Sequence, residues 1–315
     1  MEKTGDISFN PEWTACDMLV IMGPTASGKT AFAVKVARWI NSLCKSGKLP
    51  FDGCHIISAD SRQVYRGMDI GTGKDIAEYG EIPYHLIDIA EAGEKYDLFR
   101  YKKDFQKVYL SLKEDNVFPI LCGGSGLYIE AVCRNYDLKE VAPDPKLRKE
   151  LETKSMEELI SMLSRLKAAH GSQPHNNTDF DTKKRVVRAI EIELAYDRIP
   201  EREDTYEGPK KVHYLALNPD RERRNQRIDK RLEERLQGGM VDEVKALLDK
   251  GIKPEDLIYY GLEYKFLTQY LTGEISYDYM KEHLAIAIHQ FAKRQMTWLR
   301  GMERRGINIE WIKTE

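Results

Sequence analysis

The sequence predicts an α/β fold: a mostly parallel sheet flanked by helices, with a helical insertion domain. Three observations predict it. Gly23-Pro24-Thr25-Ala26-Ser27-Gly28-Lys29-Thr30 has the form G-x-x-x-x-G-K-[ST], a phosphate-binding loop between an apolar run of strand length and a helical pattern. The first 135 residues alternate short apolar runs with helical stretches, as parallel sheets require. After Ala142-Pro143-Asp144-Pro145 the chain turns polar and helical, and a strand pattern returns only at Lys211.

The elements follow in order. Residues 17–22 are an apolar strand, and residues 31–43 the helix that closes the phosphate loop. Residues 54–58 read as a buried strand ending at Asp60, and residues 85–89 as a further strand. Residues 98–112 carry apolar and aromatic side chains at helical spacing. A strand at 117–122 turns through Gly123-Gly124-Ser125-Gly126 into a helix at 127–134. Residues 146–170 and 179–196 read as the helices of the insertion. A strand at 211–217, helices at 220–237, 240–250, 262–272 and 277–301, and a last strand at 306–311 complete the chain. The predicted organisation is a P-loop core of residues 1–144 and 206–315, with a helical insertion at 145–205. Ligands of such sheets bind beyond the carboxyl ends of the strands. Three segments therefore converge: the phosphate loop, residues 58–61 and residues 123–126.

With 315 residues, 42% hydrophobic and 32% charged, the chain reads as a soluble globular protein of one large domain or a core with a smaller one. No apolar stretch reaches membrane-spanning length, and the first 15 residues lack a signal-peptide pattern. The five cysteines are scattered, with no Cys-x-x-Cys pair. Reduced thiols in the cytoplasm fit that pattern better than a disulfide framework or a zinc site. Net charge is only −2, yet basic residues cluster. Residues 221–235 hold seven bases and four acids, residues 293–305 five bases and one acid, and Lys183, Lys184, Arg185 and Arg188 form a third group. Such runs are either solvated helix faces or a surface for a polyanion.

Candidate chemistry sits at the strand ends. The loop's N–H groups and Lys29 suit phosphate oxygens, and the Thr30 hydroxyl suits Mg²⁺. Asp60 is either a helix cap, a water-mediated Mg²⁺ ligand or a general base. Six of the eight residues from 58 to 65 are polar, which suits recognition of a polar ring such as a nucleobase. Residues 123–126 are a second anion cradle or a tight turn, and Ser125 a cap or a substrate donor. Arg221, Arg223, Arg224 and Arg227 open a helix from which a guanidinium reaches a diphosphate or faces solvent. In the final helix Phe291, Gln295 and Trp298 recur at helical spacing among Lys293, Arg294 and Arg300. That mixture is either a stacking and phosphate-binding face for nucleic acid or a core stripe beside a basic surface.

Taken together, GPTASGKT (23–30), ISADSRQVYRGMDIGTGK (57–74), GGSGLYIEAV (123–132), DPKLR (144–148), KRVVRAIEI (184–192), GGMVDEVKALLDKG (238–251) and AKRQMTWLR (292–300) resemble the tRNA dimethylallyltransferase (isopentenyltransferase) family, in its order and over nearly the whole chain. The resemblance implies transfer of a dimethylallyl group from dimethylallyl diphosphate to N6 of the adenosine 3′ to the anticodon, position 37. It implies Asp60 as the base and Ser125, a serine where threonine is usual, near the acceptor adenine. Lys29, Thr30 and the loop would hold the diphosphate with Mg²⁺, and Arg227 would steady the leaving group. tRNA contacts are implied at Asp60, Ser61, Arg62, Gln63, Val64, Tyr65, Ser125, Arg148, Lys184, Arg185, Arg188, Lys293, Arg294, Gln295, Trp298 and Arg300, with the insertion as a tRNA-binding domain. The expected form is bacterial, a cytoplasmic monomer whose partners are tRNA and dimethylallyl diphosphate, without a membrane. The chain departs from the pattern at GTGK (71–74), where GTAK is usual, at 176–183, at Tyr84, and at 260–265, which is two residues longer.

Two other readings stand beside this one. A relative acting on free adenine nucleotides would need no basic insertion. A P-loop kinase or nucleotide-gated regulator would turn over or bind ATP without prenyl transfer.

Overall fold

The computed structural model describes residues 9–138, 140–170, 182–196 and 206–314. Residues 171–178 between the two predicted insertion helices, the start of the helix read at 179–196, and most of the departure at 176–183 lie outside them. The chain divides into two compact units, Met1–Tyr136 with Tyr206–Glu315, and Asp137–Thr205.

In the first unit, a 3-10 turn at Pro11–Thr14 leads into β1 (Met18–Met22), the phosphate loop and α1 (Lys29–Lys45). Then come β2 (Gly53–Ser58), β3 (Tyr84–His85), α2 (Leu98–Glu114), β4 (Val117–Gly123) and α3 (Gly126–Cys133). The second unit holds α4 (Pro145–Glu152), α5 (Met156–Ala169) and α6 (Lys183–Tyr196). The chain re-enters the first unit with β5 (Val212–Pro219), α7 (Arg221–Gln237), α8 (Met240–Asp249), α9 (Pro254–Tyr259), α10 (Leu262–Leu271), α11 (Tyr277–Arg304) and β6 (Ile309–Thr314).

The strands form one parallel sheet in the order β3-β2-β4-β1-β5-β6. Side chains alternate across a strand, so β1 feeds two cores. Leu19 and Ile21 pack with Phe32, Val36 and Ile40 of α1, while Met18, Val20 and Met22 join Tyr101 and Phe105 of α2 and Leu284 and Met296 of α11. Helices thus cover both faces, and β1 ends in mid-sheet, between β4 and β5. Among the described residues no helix is long and apolar enough to cross a membrane.

Where the elements differ from expectation, local chemistry accounts for it. The strand read at 85–89 is paired only at Tyr84–His85. Leu86 and Asp88 turn to φ 62° and 56°, and the buried Lys74 ammonium bonds the Asp88 carboxylate, drawing the segment off the sheet. The helix read at 146–170 breaks at Ser155, whose hydroxyl and Glu158 form a capping box that starts α5 afresh. A further short helix, α9, begun by Pro254, lies between the predicted helices at 240–250 and 262–272. The insertion was expected to start at 145, but the second unit begins at Asp137. Residues before α4 bind its helices: Val141 O accepts from Arg188, and Asp144 N–H bonds Glu191. Its core is Leu151, Leu159, Leu163, Val186, Val187 and Ile190.

One glycine marks how tightly the strand ends meet. A Cβ on Gly123 would lie 2.2 Å from Ala59 O and 2.4 Å from Ala59 C, both backbone atoms that cannot swing aside. Gly123→Ala is expected to cost about 1–3 kcal/mol in chemical denaturation, as overpacking does. An unchanged denaturation midpoint would show that β2 and β4 have room to part.

Candidate active site at the carboxyl ends of three strands

The phosphate loop leaves β1 with its backbone already shaped for an anion. Ala26 and Gly28 adopt positive φ of 59° and 79°, which turns successive N–H groups inward as a nest. Ala26 is strained there, since only glycine takes that region freely. Thr25 N–H is used by Gln295 Oε1 at 2.8 Å, and Ser27 N–H by Pro24 O at 3.3 Å. The N–H groups of Ala26, Gly28, Lys29 and Thr30 have no partner among the described residues. The last two also open α1, whose dipole favours negative charge. The buried Ser27 hydroxyl likewise has no partner among the described residues.

Positive charge faces this nest. Burial pushes the Lys29 ammonium below its ordinary value, opposed by the Asp60 carboxylate. Arg231 of α7 donates to Thr25 Oγ1. Burial pushes its guanidinium down to about 10, with Arg235 acting the same way and Glu263, Asp75 and Asp60 opposing, so it stays charged at neutral pH. The Glu263 carboxyl is pushed up by burial, and Arg235 and Arg231 counter that shift.

Asp60 follows β2. Its Oδ1 accepts the Arg62 N–H at 2.9 Å, a cap-like bond, while Oδ2 takes no hydrogen bond among the described residues. Cap and chemistry are therefore compatible, one oxygen for each. Ser125 holds the N-cap position of α3, but its side chain makes no cap bond there. Its Oγ accepts the Ser61 N–H at 3.0 Å and lies 3.3 Å from Ser61 Oγ, tethering the Asp60 segment to β4. Beyond it, Glu243 of α8 accepts the N–H groups of Asp69, Ile70 and Gly71 at 2.8, 2.7 and 3.1 Å. Gly73 has φ 64°, and a Cβ there would lie 2.0 Å from Arg235 Nη2. Glycine in GTGK thus answers an arginine packed on the loop.

The structure brings Lys29, Thr30, Asp60 and Ser125 to one place and corrects other expectations. Arg227 is exposed, and Arg231, one turn on, reaches the loop instead. Val64 and Tyr65 are buried at 0% and 1% exposure, the Tyr65 ring against Tyr260, so they are core rather than RNA contacts. The Gln63 amide turns to Ser58 and Gly73. Arg62 lies over Tyr259. Gln295 and Trp298 point inward: the Gln295 amide donates to Gly124 O, and the Trp298 ring closes on Gly126. Lys293, Arg294 and Arg300 are exposed on α11. In the second unit Arg148 and Arg188 both bind Glu191, while Lys184 and Arg185 are exposed.

Oxygen donors near the loop include the Ser27 hydroxyl and the Asp60 oxygen that takes no hydrogen bond among the described residues. Among the described residues no group of three or more His, Cys, Asp or Glu side chains forms a metal cage. That set suits a cation such as Mg²⁺, which keeps water and phosphate as most of its ligands.

Residues 63–302 match the family model described as IPP transferase. A protein of Parabacteroides distasonis named tRNA dimethylallyltransferase 1 is 51% identical over 300 residues, 94% of this chain and 92% of its own length. A protein of the same name from Porphyromonas gingivalis is 52% identical over 299 residues, 94% and 93% of the two chains. The solved tRNA isopentenylpyrophosphate transferase of Bacillus halodurans has TM-score 0.65 at 30% identity, over 94% of this chain and 89% of that one. A eukaryotic dimethylallyltransferase acting on tRNA shares the fold, with TM-score 0.71 at 21% identity over 94% and 73% of the two chains.

Proposed function

The chain belongs to the IPP transferase family, and from that premise we propose that it moves a dimethylallyl group from dimethylallyl diphosphate to N6 of the adenosine at tRNA position 37. One observation carries the reading: four loop N–H groups without a partner among the described residues, with Lys29 and Arg231, line the loop that Asp60 faces.

N6 attacks the allylic carbon, the carbon–oxygen bond breaks, and its electron pair leaves with the diphosphate. Positive charge gathers on the allyl group and negative charge on the departing oxygen. The loop N–H groups, Lys29 and Arg231 stabilise the latter where it forms. Thr30 would hold Mg²⁺, which when bound neutralises diphosphate charge. Adenine N6 is a poor nucleophile, so the Asp60 oxygen left free of the cap bond takes its proton as the bond to carbon forms. Ser125 keeps Asp60 in place through Ser61.

The acceptor adenine must leave its stack to reach this site. Arg62, Lys293, Arg294 and Arg300 of the first unit and Lys184 and Arg185 of the second are the proposed phosphate contacts, and the insertion a tRNA-binding domain. Every proposed catalytic group comes from one chain, so a monomer suffices. The five cysteines are free thiols, which fits the cytoplasm.

The test is incubation with labelled dimethylallyl diphosphate and bulk tRNA, AMP or ATP. Label is expected in tRNA alone. Label in AMP alone would make the protein a free-nucleotide enzyme, and ATP turnover without prenyl transfer would make it a kinase or regulator.

A further inference from the structure

We propose that Gln295 is a positioning residue for the donor diphosphate and not an RNA contact. The inference rests on the donor-binding reading of the phosphate loop.

The Gln295 amide spans two strand ends. Its Oε1 accepts Thr25 N–H at 2.8 Å and its Nε2 donates to Gly124 O at 3.0 Å. The side chain of glutamine has one acceptor and one two-proton donor, and here each meets its complement. Gly124 leaves the room: a Cβ there would lie 2.5 Å from Nε2. One turn along α11, Trp298 packs so closely on Gly126 that a Cβ would lie 2.1 Å from the ring. The inward face of α11 thus fastens the loop after β1 to the turn after β4. Its outward face carries the exposed Lys293, Arg294 and Arg300.

The bond to Thr25 also shapes the nest. With its N–H held by Gln295 and its hydroxyl by Arg231, Thr25 is gripped from α11 and α7 at once. That removes one N–H from the anion-binding set and fixes the entrance to the four that remain. A loop that loses this grip spends part of its binding energy on ordering itself.

The experiment compares Gln295→Leu, which has neither donor nor acceptor at similar size, with wild type and with Lys293→Ala/Arg294→Ala. Three quantities are read in the full chain: affinity for inorganic pyrophosphate by calorimetry, KM for dimethylallyl diphosphate, and Kd for tRNA at fixed salt. Gln295→Leu is expected to weaken pyrophosphate and raise the donor KM roughly tenfold, as the loss of one or two hydrogen bonds would. Its tRNA Kd should stay within about twofold, a readout that general damage would move. The double alanine variant should show the reverse. Gly124→Ala, which displaces the amide, should reproduce the Gln295→Leu pattern if that variant folds poorly. A weakened tRNA Kd with unchanged pyrophosphate affinity makes Gln295 an RNA contact and overturns the proposal. Equal loss in both, with a lowered melting temperature, leaves only a structural role and also overturns it. Absence of prenyl transfer in wild type would sink the functional reading instead, while pyrophosphate affinity still decides the role of Gln295.

Discussion

Asp60→Asn is expected to lower single-turnover prenyl transfer by roughly 100- to 10,000-fold, the usual worth of a positioned general base. The substitution isolates basicity from shape. Asparagine keeps an Oδ1 that can accept the Arg62 N–H, so the 2.9 Å cap bond survives and thermal stability should not move. What is lost is the carboxylate oxygen free to take a proton. The carboxylate also supports the charge of Lys29, whose ammonium burial pushes down. Its removal therefore makes Lys29 easier to deprotonate, a second route to lost activity. Pyrophosphate affinity separates the two. If Lys29 stays charged, affinity holds or tightens, because a like charge has left the anion's surroundings; if Lys29 has lost its proton, affinity falls. The expected pattern is lost turnover, pyrophosphate affinity held or improved, and tRNA affinity within about twofold, since the shape of one side chain is kept and the exposed basic residues are untouched. Turnover within tenfold of wild type would remove Asp60 as the base.

The order of elements, the parallel sheet and the convergence of three strand ends were all legible. They depend on local patterns: a loop of fixed spacing, apolar runs of strand length and glycine at the turns. The position of Asp60 was legible too, because a polar residue just after a buried strand has few places to go. What escaped depends on neighbours distant in sequence. Val64 and Tyr65 stand in a polar run, and only the packing of Tyr260 against Tyr65 shows that the run dives into the core. Gln295 and Trp298 sit among basic residues, yet the glycines at 124 and 126 that receive them lie some 170 residues away. The edge strand was overread because Lys74, a charge in a loop, is buried and pulls Asp88 towards it.

Arg231 was within reach of pattern alone. Buried positions on α7 include 224, 228, 232 and 236; Arg235 falls within that stripe and Arg231 at its edge. At about 100° per residue, Arg231 lies roughly 60° from Ile228, whereas Arg227 lies roughly 100° away. The inward arginine is the one that meets Thr25. Arg231→Ala is therefore expected to reduce kcat roughly 100- to 1,000-fold, as loss of one donor to a developing oxyanion does. Arg227→Ala should change it by less than about threefold, because the charge of an exposed side chain is screened by water. Arg231→Lys should recover little of the loss. A lysine is a compact point charge, without the fork that reaches Thr25 Oγ1 while facing the anion. Pyrophosphate affinity should fall less than kcat, since charge on the departing oxygen is greatest in the transition state. Reversal of the two alanine effects would return the leaving-group role to Arg227. A fall in pyrophosphate affinity with kcat unchanged would make Arg231 a ground-state anchor. Because burial holds the Arg231 guanidinium at about 10, it remains charged throughout the neutral range, and the expected loss should be independent of pH between 6 and 8. A pH-dependent loss over that interval would mean that Arg231 acts through a group titrating there, which places the charge stabilisation elsewhere in the site.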